Sequence, residues 1–167
     1  MIHEVTGDIL LSRADLTAHG VAPNDHFDSG LALALRERWP GMARDFRHFA
    51  KDGNARPGTL WVWAGPDLRG TKKIANLITQ EGERHLGARP GKATLANVQR
   101  ALKELAAHVR AHQVTSLALS RLATGVGGLE WAEVAPFVRE HLGSLGIPVY
   151  LYTSYRPGVV AEEAAGS

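Results

Sequence analysis

The residues with the clearest chemical potential form a glycine-rich stretch, residues 124–128, in the last third of the chain. It follows an apolar run at residues 117–122, which predicts a buried strand, and it precedes an amphipathic helix that begins near Trp131. Glycines at such a junction permit positive φ angles and let successive N–H groups point into one concavity that favours an anion. The pattern therefore predicts a phosphate site, although it matches neither the Walker motif nor a dinucleotide fingerprint.

A second stretch has similar potential. Residues 22–30 have the composition of a loop and end where Leu31 begins an apolar helical pattern, so Asp28 or Ser29 is expected to be the N-cap. A helix N-terminus offers free backbone N–H groups and the positive end of its dipole to an anion. Because a carboxylate at Asp28 would repel a phosphate placed on it, that side chain is expected to face a sugar or water.

Other polar side chains follow predicted strands. Asp8 comes after the first strand and is expected to form an Asx-type turn, whereas His19 lies in an apolar run and is expected to be a hydrogen-bonded core residue. With no second histidine at ligand spacing, we expect no metal site. Gln80 and Glu81 follow a buried strand at residues 73–79, and residues 80–91 are expected to form an open loop.

The composition limits the class of protein. The chain has 167 residues, 44% of them hydrophobic and 22% charged, which is typical of one globular domain. It has no cysteine, a net charge of +2 and no apolar window long enough to span a bilayer. We therefore expect a cytoplasmic monomer with no membrane association and no cofactor. The small net charge alone does not indicate strong nucleic-acid binding.

Strands alternate with helices along the chain, which predicts a three-layer α/β/α fold with a mixed sheet. We expect one domain at residues 1–155 and a flexible C-terminal tail at residues 156–167. Ligands in such folds bind beyond the carboxyl ends of adjacent strands. The polar loops described above are expected to converge there.

Seven segments, in register over nearly the whole chain, resemble a macrodomain of the subgroup typified by terminal ADP-ribose protein glycohydrolase. They are GDIL at residues 7–10, LTAHGV at 16–21, GLALAL at 30–35, NLIT at 76–79, TLANV at 94–98, RLATGVGGLEW at 121–131 and VYLYT at 149–153. The subgroup has an Ala-His segment in place of the Asn-Ala-Val-Asn signature of other macrodomains.

The resemblance implies a roughly six-stranded mixed sheet and ADP-ribose as the ligand. By the resemblance, Asp8 and Ile9 contact the adenine, with Asp8 accepting from the exocyclic amine, and Tyr152 or Tyr155 stacks on it. Ser29, Gly30 and Leu31 line one side of the pyrophosphate. The other side is lined by the glycine-rich stretch, which is Thr124, Gly125, Val126, Gly127 and Gly128. His19 and Gly20, from the Ala-His segment, are expected to line the same site.

By the same resemblance the protein is an ADP-ribosyl hydrolase that removes ADP-ribose from protein carboxylates or from thymidine in DNA, without a metal. In the best-known hydrolase of the subgroup a Lys attacks the sugar and an Asp of the glycine-rich loop supports it. The matching positions here hold Gln80 or Glu81, and Gly127, so the covalent lysyl route is not carried over. Lys92 lies farther along the same loop.

Another group must then activate water or protonate the leaving atom. Glu81 is the first candidate, because a partly desolvated carboxylate after a buried strand could titrate nearer neutrality. Asp28 is the second, His19 is also considered, and Gln80 could hydrogen-bond the ribose or the leaving group. A non-catalytic ADP-ribose reader is the alternative, and a nucleic-acid-binding module is a weaker one.

Overall fold

A mixed β-sheet between two pairs of helices forms the centre of the computed structural model, which describes residues 1–82 and 90–163. The strands are β1 (Ile2–Gly7), β2 (Leu16–Val21), β3 (Leu60–Asp67), β4 (Gly70–Ile78), β5 (Gln80–Gly82), β6 (Pro90–Ala93), β7 (Leu117–Ser120) and β8 (Val149–Tyr155). The helices are α1 (Gly30–Arg38), α2 (Pro40–Ala50), α3 (Leu95–Ala111) and α4 (Trp131–Leu142), with a 3₁₀ turn at Ile9–Leu11. None of the helices in the described ranges has the length and apolar character needed to cross a bilayer.

Six strands form the main sheet in the order β1-β8-β7-β2-β4-β3. All neighbouring strands are parallel except β3, which runs antiparallel to β4, and Ile2 at the start of β1 lies opposite Val149 of β8. The predicted α/β/α fold with a mixed six-stranded sheet is confirmed. Because the carboxyl ends of five strands meet at one edge, the loops after them lie side by side.

A separate two-stranded ribbon replaces the open loop that was expected at residues 80–91. β5 pairs with β6 in antiparallel fashion, with Gln80 opposite Ala93 and Gly82 opposite Pro90. The expectation of an open loop was wrong at both ends, because backbone pairing forms there without any apolar alternation in the sequence. The middle of that loop, residues 83–89, lies outside the described residues.

The two faces of the sheet have different cores. The face under α3 and α4 is aliphatic, whereas the face under α1 and α2 is aromatic, with Phe46 edge-on to Trp61 at 5.6 Å between ring centroids. On the same strand as Trp61, the Trp63 indole N–H donates to Asp45 at 2.9 Å. Trp61 and Trp63 therefore pack against helix α2 rather than present a stacking platform.

Capping residues define where helices α3 and α4 begin, and so where the loops before these helices end. Thr94 is the N-cap of α3, and its hydroxyl accepts from the Asn97 N–H at 3.1 Å. Helix α4 begins with a reciprocal capping box between Glu130 and Glu133, directly after the glycine-rich stretch. Both helices therefore begin at defined residues and hold the preceding loops at the sheet edge.

Residues 156–163, which we name the C-terminal strap, run back over the end of β1. The Arg156 N–H donates to the Gly7 carbonyl at 2.9 Å, and the Asp8 N–H donates to the Val159 carbonyl at 2.6 Å. The strap passes so close that a Cβ added at Gly7 would lie 2.8 Å from Ala161. The described part of the predicted flexible tail is thus hydrogen-bonded to the domain.

Candidate functional site

A cavity of about 460 Å³ lies at the carboxyl edge of the sheet, in the size range of small-molecule sites. Among the predicted site residues, its lining includes Ile9, His19, Gly20, Gln80, Tyr152 and the stretches 28–31 and 124–127. Asp8, Glu81 and Gly128 do not line it. The sheet edge thus brings together most of the residues that the sequence selected, from six separate segments.

The start of α1 forms one wall. Ser29 occupies the N-cap position, but neither its side chain nor that of Asp28 caps the helix. The first helical backbone bond runs from the Leu33 N–H to the Ser29 carbonyl at 3.2 Å, and the N–H groups of residues 30–32 have no acceptor among the described residues. These three residues line the cavity, so the helix start presents free donors to a bound anion.

The glycine-rich stretch forms the facing wall. The Gly128 N–H closes a turn onto the Gly125 carbonyl, and the Leu129 N–H donates to the Ala123 carbonyl, each at 3.0 Å. Within the part of the chain that the structure describes, the N–H groups of residues 124–127 have no protein acceptor. Ala123 has a φ of +69°, a strained angle for alanine, and such angles cluster at ligand sites.

Gly127 is the most crowded residue of this stretch. A Cβ added there would lie 2.6 Å from the Ala123 carbonyl oxygen, closer than real Cβ contacts allow. Gly128 faces away from the cavity, toward Lys92, whose side chain lies 3.3 Å from the place where a Gly128 Cβ would be. The predicted contribution of Gly128 to the lining is therefore not seen, and Lys92 lies behind the loop.

His19 lines the floor of the cavity and is 2% exposed. Its Nε2 lies 2.6 Å from Asn76 Oδ1, and the Asn76 amide group points to the Trp61 and Ile74 carbonyls, so Nε2 carries the proton and donates. Burial lowers the pKa of His19, and the Asn76 hydrogen bond and the Asp25 charge oppose that shift only in part. His19 is therefore a neutral imidazole with Nδ1 as an acceptor.

The buried neutral His19 predicts a pH dependence of stability. Its unfolded pKa is about 6.5 and its folded pKa is lower, so below pH 6.5 the unfolded chain binds a proton that the folded chain does not. The free energy of unfolding should then decrease, by as much as about 1.4 kcal/mol per pH unit, as the pH falls below about 6.5. Denaturant titrations should show a smaller decrease in His19→Gln.

The exposed His48 provides the matched control, because His48→Gln should keep the wild-type pH dependence. Equal slopes in His19→Gln and the wild type would contradict a neutral buried imidazole.

The loop before α1 contributes Asp25, a cavity residue that the sequence reasoning missed. Its two carboxylate oxygens accept from the Ala22 N–H at 3.1 Å and from the Phe27 N–H at 2.9 Å. Phe27 itself has a φ of +53° and is fully buried. The signal was present as an Asx-turn residue in a polar loop, but nothing in the sequence distinguished Asp25 from Asp28.

Gln80 and Glu81 point in different directions. Gln80 is buried and lines the cavity, and its side-chain amide donates to the Gly91 carbonyl at 2.9 Å across the ribbon. Glu81 is exposed, and its carboxylate accepts from the Asn97 side chain at 2.9 Å. The desolvation on which the candidacy of Glu81 depended is thus absent, because side chains on a strand alternate and β5 turns Glu81 away.

The opposite end of the cavity is apolar. Ile9, Tyr152 and Tyr155, which follow or belong to the neighbouring strands β1 and β8, line it, whereas Asp8 is buried and does not. The Asp8 carboxylate accepts from the Leu10 N–H at 3.0 Å, which confirms the predicted Asx-type turn, and from the Gly158 N–H of the strap at 2.8 Å. The resemblance implies that Asp8 contacts a nucleotide base, but Asp8 is not among the residues that line the cavity.

Arg121 is a second residue that the sequence reasoning left out of the site. It is exposed, lines the cavity beside the glycine-rich stretch, and its guanidinium carbon lies 5.5 Å from the centre of the Trp131 ring. This cation–π contact holds a positive charge at the rim.

Comparisons with known proteins agree with this geometry. The family model described as Macro domain matches residues 22–138. The chain is 26% identical over 153 residues to a DNA ADP-ribosyl glycohydrolase of Thermus aquaticus, covering 91% of this chain and 41% of that protein. It is also 24% identical over 150 residues to the human ADP-ribose glycohydrolase OARD1, covering 89% of each.

Among solved structures, the macrodomain of Mycobacterium tuberculosis DarG superposes with a TM-score of 0.81 at 25% identity, covering 91% of this chain and 97% of that one. The chain thus spans about two fifths of the length of the Thermus aquaticus relative but nearly all of this macrodomain.

Proposed function

The chain belongs to the Macro domain family, and from that premise we propose that it is an ADP-ribosyl hydrolase that binds ADP-ribose and removes it from modified protein carboxylates or from thymidine in DNA. The relatives described above carry glycohydrolase names, which supports the activity and the ligand class. That the protein is a monomer and that it is cytoplasmic remain predictions from the sequence.

One observation carries the proposal: two sets of backbone N–H groups that have no acceptor within residues 1–82 and 90–163 belong to residues that line the same cavity. Residues 30–32 at the start of α1 and residues 124–127 of the glycine-rich stretch supply these donors. Rigid donors on two sides suit a diphosphate, because they bind it without reorganising and without a metal. The apolar end at Ile9 and Tyr152 suits a nucleotide base, and the polar end at Asp28 and Gln80 suits the distal ribose.

The proposed reaction is cleavage of the bond between C1 of the distal ribose and the acceptor atom. That bond breaks toward the acceptor, which leaves with the electron pair, while positive charge develops on the ribose next to the diphosphate. Water supplies hydroxide to C1, and its remaining proton passes to a base and then to the acceptor. The products are ADP-ribose and the unmodified carboxylate or thymidine.

We propose Asp28 as the base that takes the proton from water and Gln80 as a neutral group that orients the ribose. Both line the cavity, and Asp28 is a carboxylate exposed to the cavity rather than held in a helix cap. His19 offers a neutral Nδ1 acceptor on the cavity floor. Glu81 stays the alternative base predicted from the sequence.

The function is tested by incubating the protein with ADP-ribose linked separately to a carboxylate, to serine and to thymidine, and by detecting free ADP-ribose. Release from the carboxylate or thymidine substrate is the expected result. Binding of ADP-ribose without release from any substrate would favour the reader.

We expect Asp28→Asn to lower kcat about 100-fold, the effect typical of losing a general base, while the affinity for ADP-ribose changes only a few-fold. The amide keeps the size of the side chain but cannot accept the proton of water. Single-turnover kinetics and calorimetry with ADP-ribose separate the two effects.

Glu81→Gln is the matched carboxylate-to-amide control. It should leave kcat within about threefold of the wild type, because the Glu81 carboxylate lies outside the cavity and bonds to Asn97. If Glu81→Gln instead lowered kcat strongly while Asp28→Asn stayed active, Glu81 would be the base, as the sequence predicted.

The non-catalytic reader remains the second candidate, and two observations favour it. Gln80 or Glu81 stands where the resemblance places a nucleophilic Lys, and the Gln80 amide donates to the Gly91 carbonyl while the Glu81 carboxylate accepts from Asn97. Gly127 stands where it places an Asp and has no room for a side chain.

A further inference from the structure

We infer that Glu163 of the C-terminal strap is a positioning residue for nucleotide binding, which holds the Tyr152 ring at the apolar end of the cavity. This inference rests on the proposed function and names the part of the chain that prepares the base-binding end. The strap lies outside the residues that the family model matches, 22–138.

The Glu163 carboxylate accepts hydrogen bonds from three donors, which come from two separate parts of the fold. Its Oε2 accepts from the Tyr152 hydroxyl at 2.8 Å and from the Ser12 hydroxyl at 2.5 Å, and its Oε1 accepts from the Arg13 N–H at 3.0 Å. Three hydrogen bonds to one carboxylate fix its orientation, because charge-assisted bonds are about twice as strong as neutral ones. The carboxylate therefore anchors the end of the strap to the 3₁₀ turn and to β8.

Tyr152 connects this anchor to the cavity. The residue is 5% exposed and is one of those that line the cavity, and its hydroxyl donates to Glu163. Burial and then the hydrogen bond to Glu163 raise the pKa of Tyr152 above its usual range, so the hydroxyl stays protonated and donates. Because the hydroxyl end of the Tyr152 ring is already held in place, the side chain loses little conformational entropy when a planar base packs on it.

The rest of the strap keeps Glu163 in place. The Gly158 N–H donates to the Asp8 carboxylate at 2.8 Å, and the Asp8 N–H donates to the Val159 carbonyl at 2.6 Å. These bonds occur directly before Ile9, which lines the same end of the cavity as Tyr152. The strap thus fixes two neighbouring lining residues from outside the cavity.

The test compares a ligand with a base and a ligand without one, ADP-ribose and inorganic pyrophosphate, by calorimetry on the full chain. Glu163→Ala should weaken ADP-ribose binding about tenfold, as the loss of a charge-assisted bond predicts, and change pyrophosphate binding less than about twofold. Glu163→Gln, which keeps an acceptor oxygen, should recover most of the lost affinity. Glu162→Ala, at the exposed neighbouring residue, should match the wild type for both ligands.

A double-mutant cycle shows whether Glu163 acts through Tyr152. In a Tyr152→Phe background, Glu163→Ala should change ADP-ribose affinity less than about twofold, because the bond it breaks is already absent. Gly7→Ala provides an independent variant, since its Cβ displaces the strap at Ala161, and it should reproduce the loss that is selective for ADP-ribose.

Equal weakening of both ligands, or additive effects in the cycle, would overturn the inference, and so would an unchanged Glu163→Ala variant. A wild-type protein that binds pyrophosphate but not ADP-ribose would overturn the proposed function and this inference with it.

Discussion

Gly127→Glu is expected to weaken ADP-ribose binding about 1,000-fold, the largest effect on binding that we predict. A Cβ at this position meets the Ala123 carbonyl oxygen at 2.6 Å, so the loop must shift before any side chain fits. The carboxylate would also stand among the N–H groups that face the diphosphate, and like charges in contact cost several kcal/mol, or about tenfold in affinity for each 1.4 kcal/mol. Calorimetry with ADP-ribose measures the loss.

Two further variants separate the steric effect from the charge. Gly127→Ala should show an intermediate loss of about tenfold or more, because it introduces the clash without the carboxylate. Gly125→Ala has open space around its Cβ and should stay within about fivefold of the wild type. Wild-type affinity in Gly127→Glu would contradict the role of this stretch as the diphosphate cradle.

Phe27→Ala is expected to lower the free energy of unfolding by about 3–5 kcal/mol, the cost of removing a buried aromatic ring. The ring is fully buried, packs edge-on against Phe46 at 5.5 Å between centroids, and lies 6.4 Å from His19. Alanine inherits the φ of +53°, so the backbone strain is unchanged and the lost packing dominates. Urea titration at neutral pH measures the change.

Leu68→Ala is the control for this prediction, because Leu68 is 96% exposed and its loss should cost less than about 0.5 kcal/mol. A similarly small change in Phe27→Ala would mean that the segment before α1 is not packed as described.

The sequence predicted the fold well because hydrophobic periodicity and caps agree along most of it. The strand before the glycine-rich stretch, the helix that begins at Trp131, the N-cap position at Ser29 and the alternation of strands with helices are all present in the structure. The glycine-rich stretch was predictive because glycines between a strand and a helix let the backbone approach a ligand closely, and residues 124–127 do line the cavity.

The directions of individual side chains could not be predicted in the same way. Glu81 and Gln80 are adjacent in sequence, and only the pairing of β5 with β6 determines that Gln80 faces the cavity and Glu81 faces Asn97. That pairing depends on backbone hydrogen bonds over three or four residues, which leave no hydrophobic pattern in the sequence.

The strap was missed for a similar reason. Its sequence is rich in small and acidic residues, a composition typical of a chain end, and it is held by isolated hydrogen bonds to residues about 150 positions earlier, such as Ser12 and Asp8. Contacts of that range depend on the closed sheet and have no local signature.

The pairing of β1 with β8 also has a consequence for synthesis on the ribosome. Residues 2–7 are made before all the other strands of the main sheet, and their partner strand, residues 149–155, is made after β2, β3, β4 and β7, which can already associate. Contacts so distant along the chain form slowly, and a strand without its partner exposes backbone groups that attract other chains. The nascent protein should therefore depend most on chaperones in the interval before β8 is released.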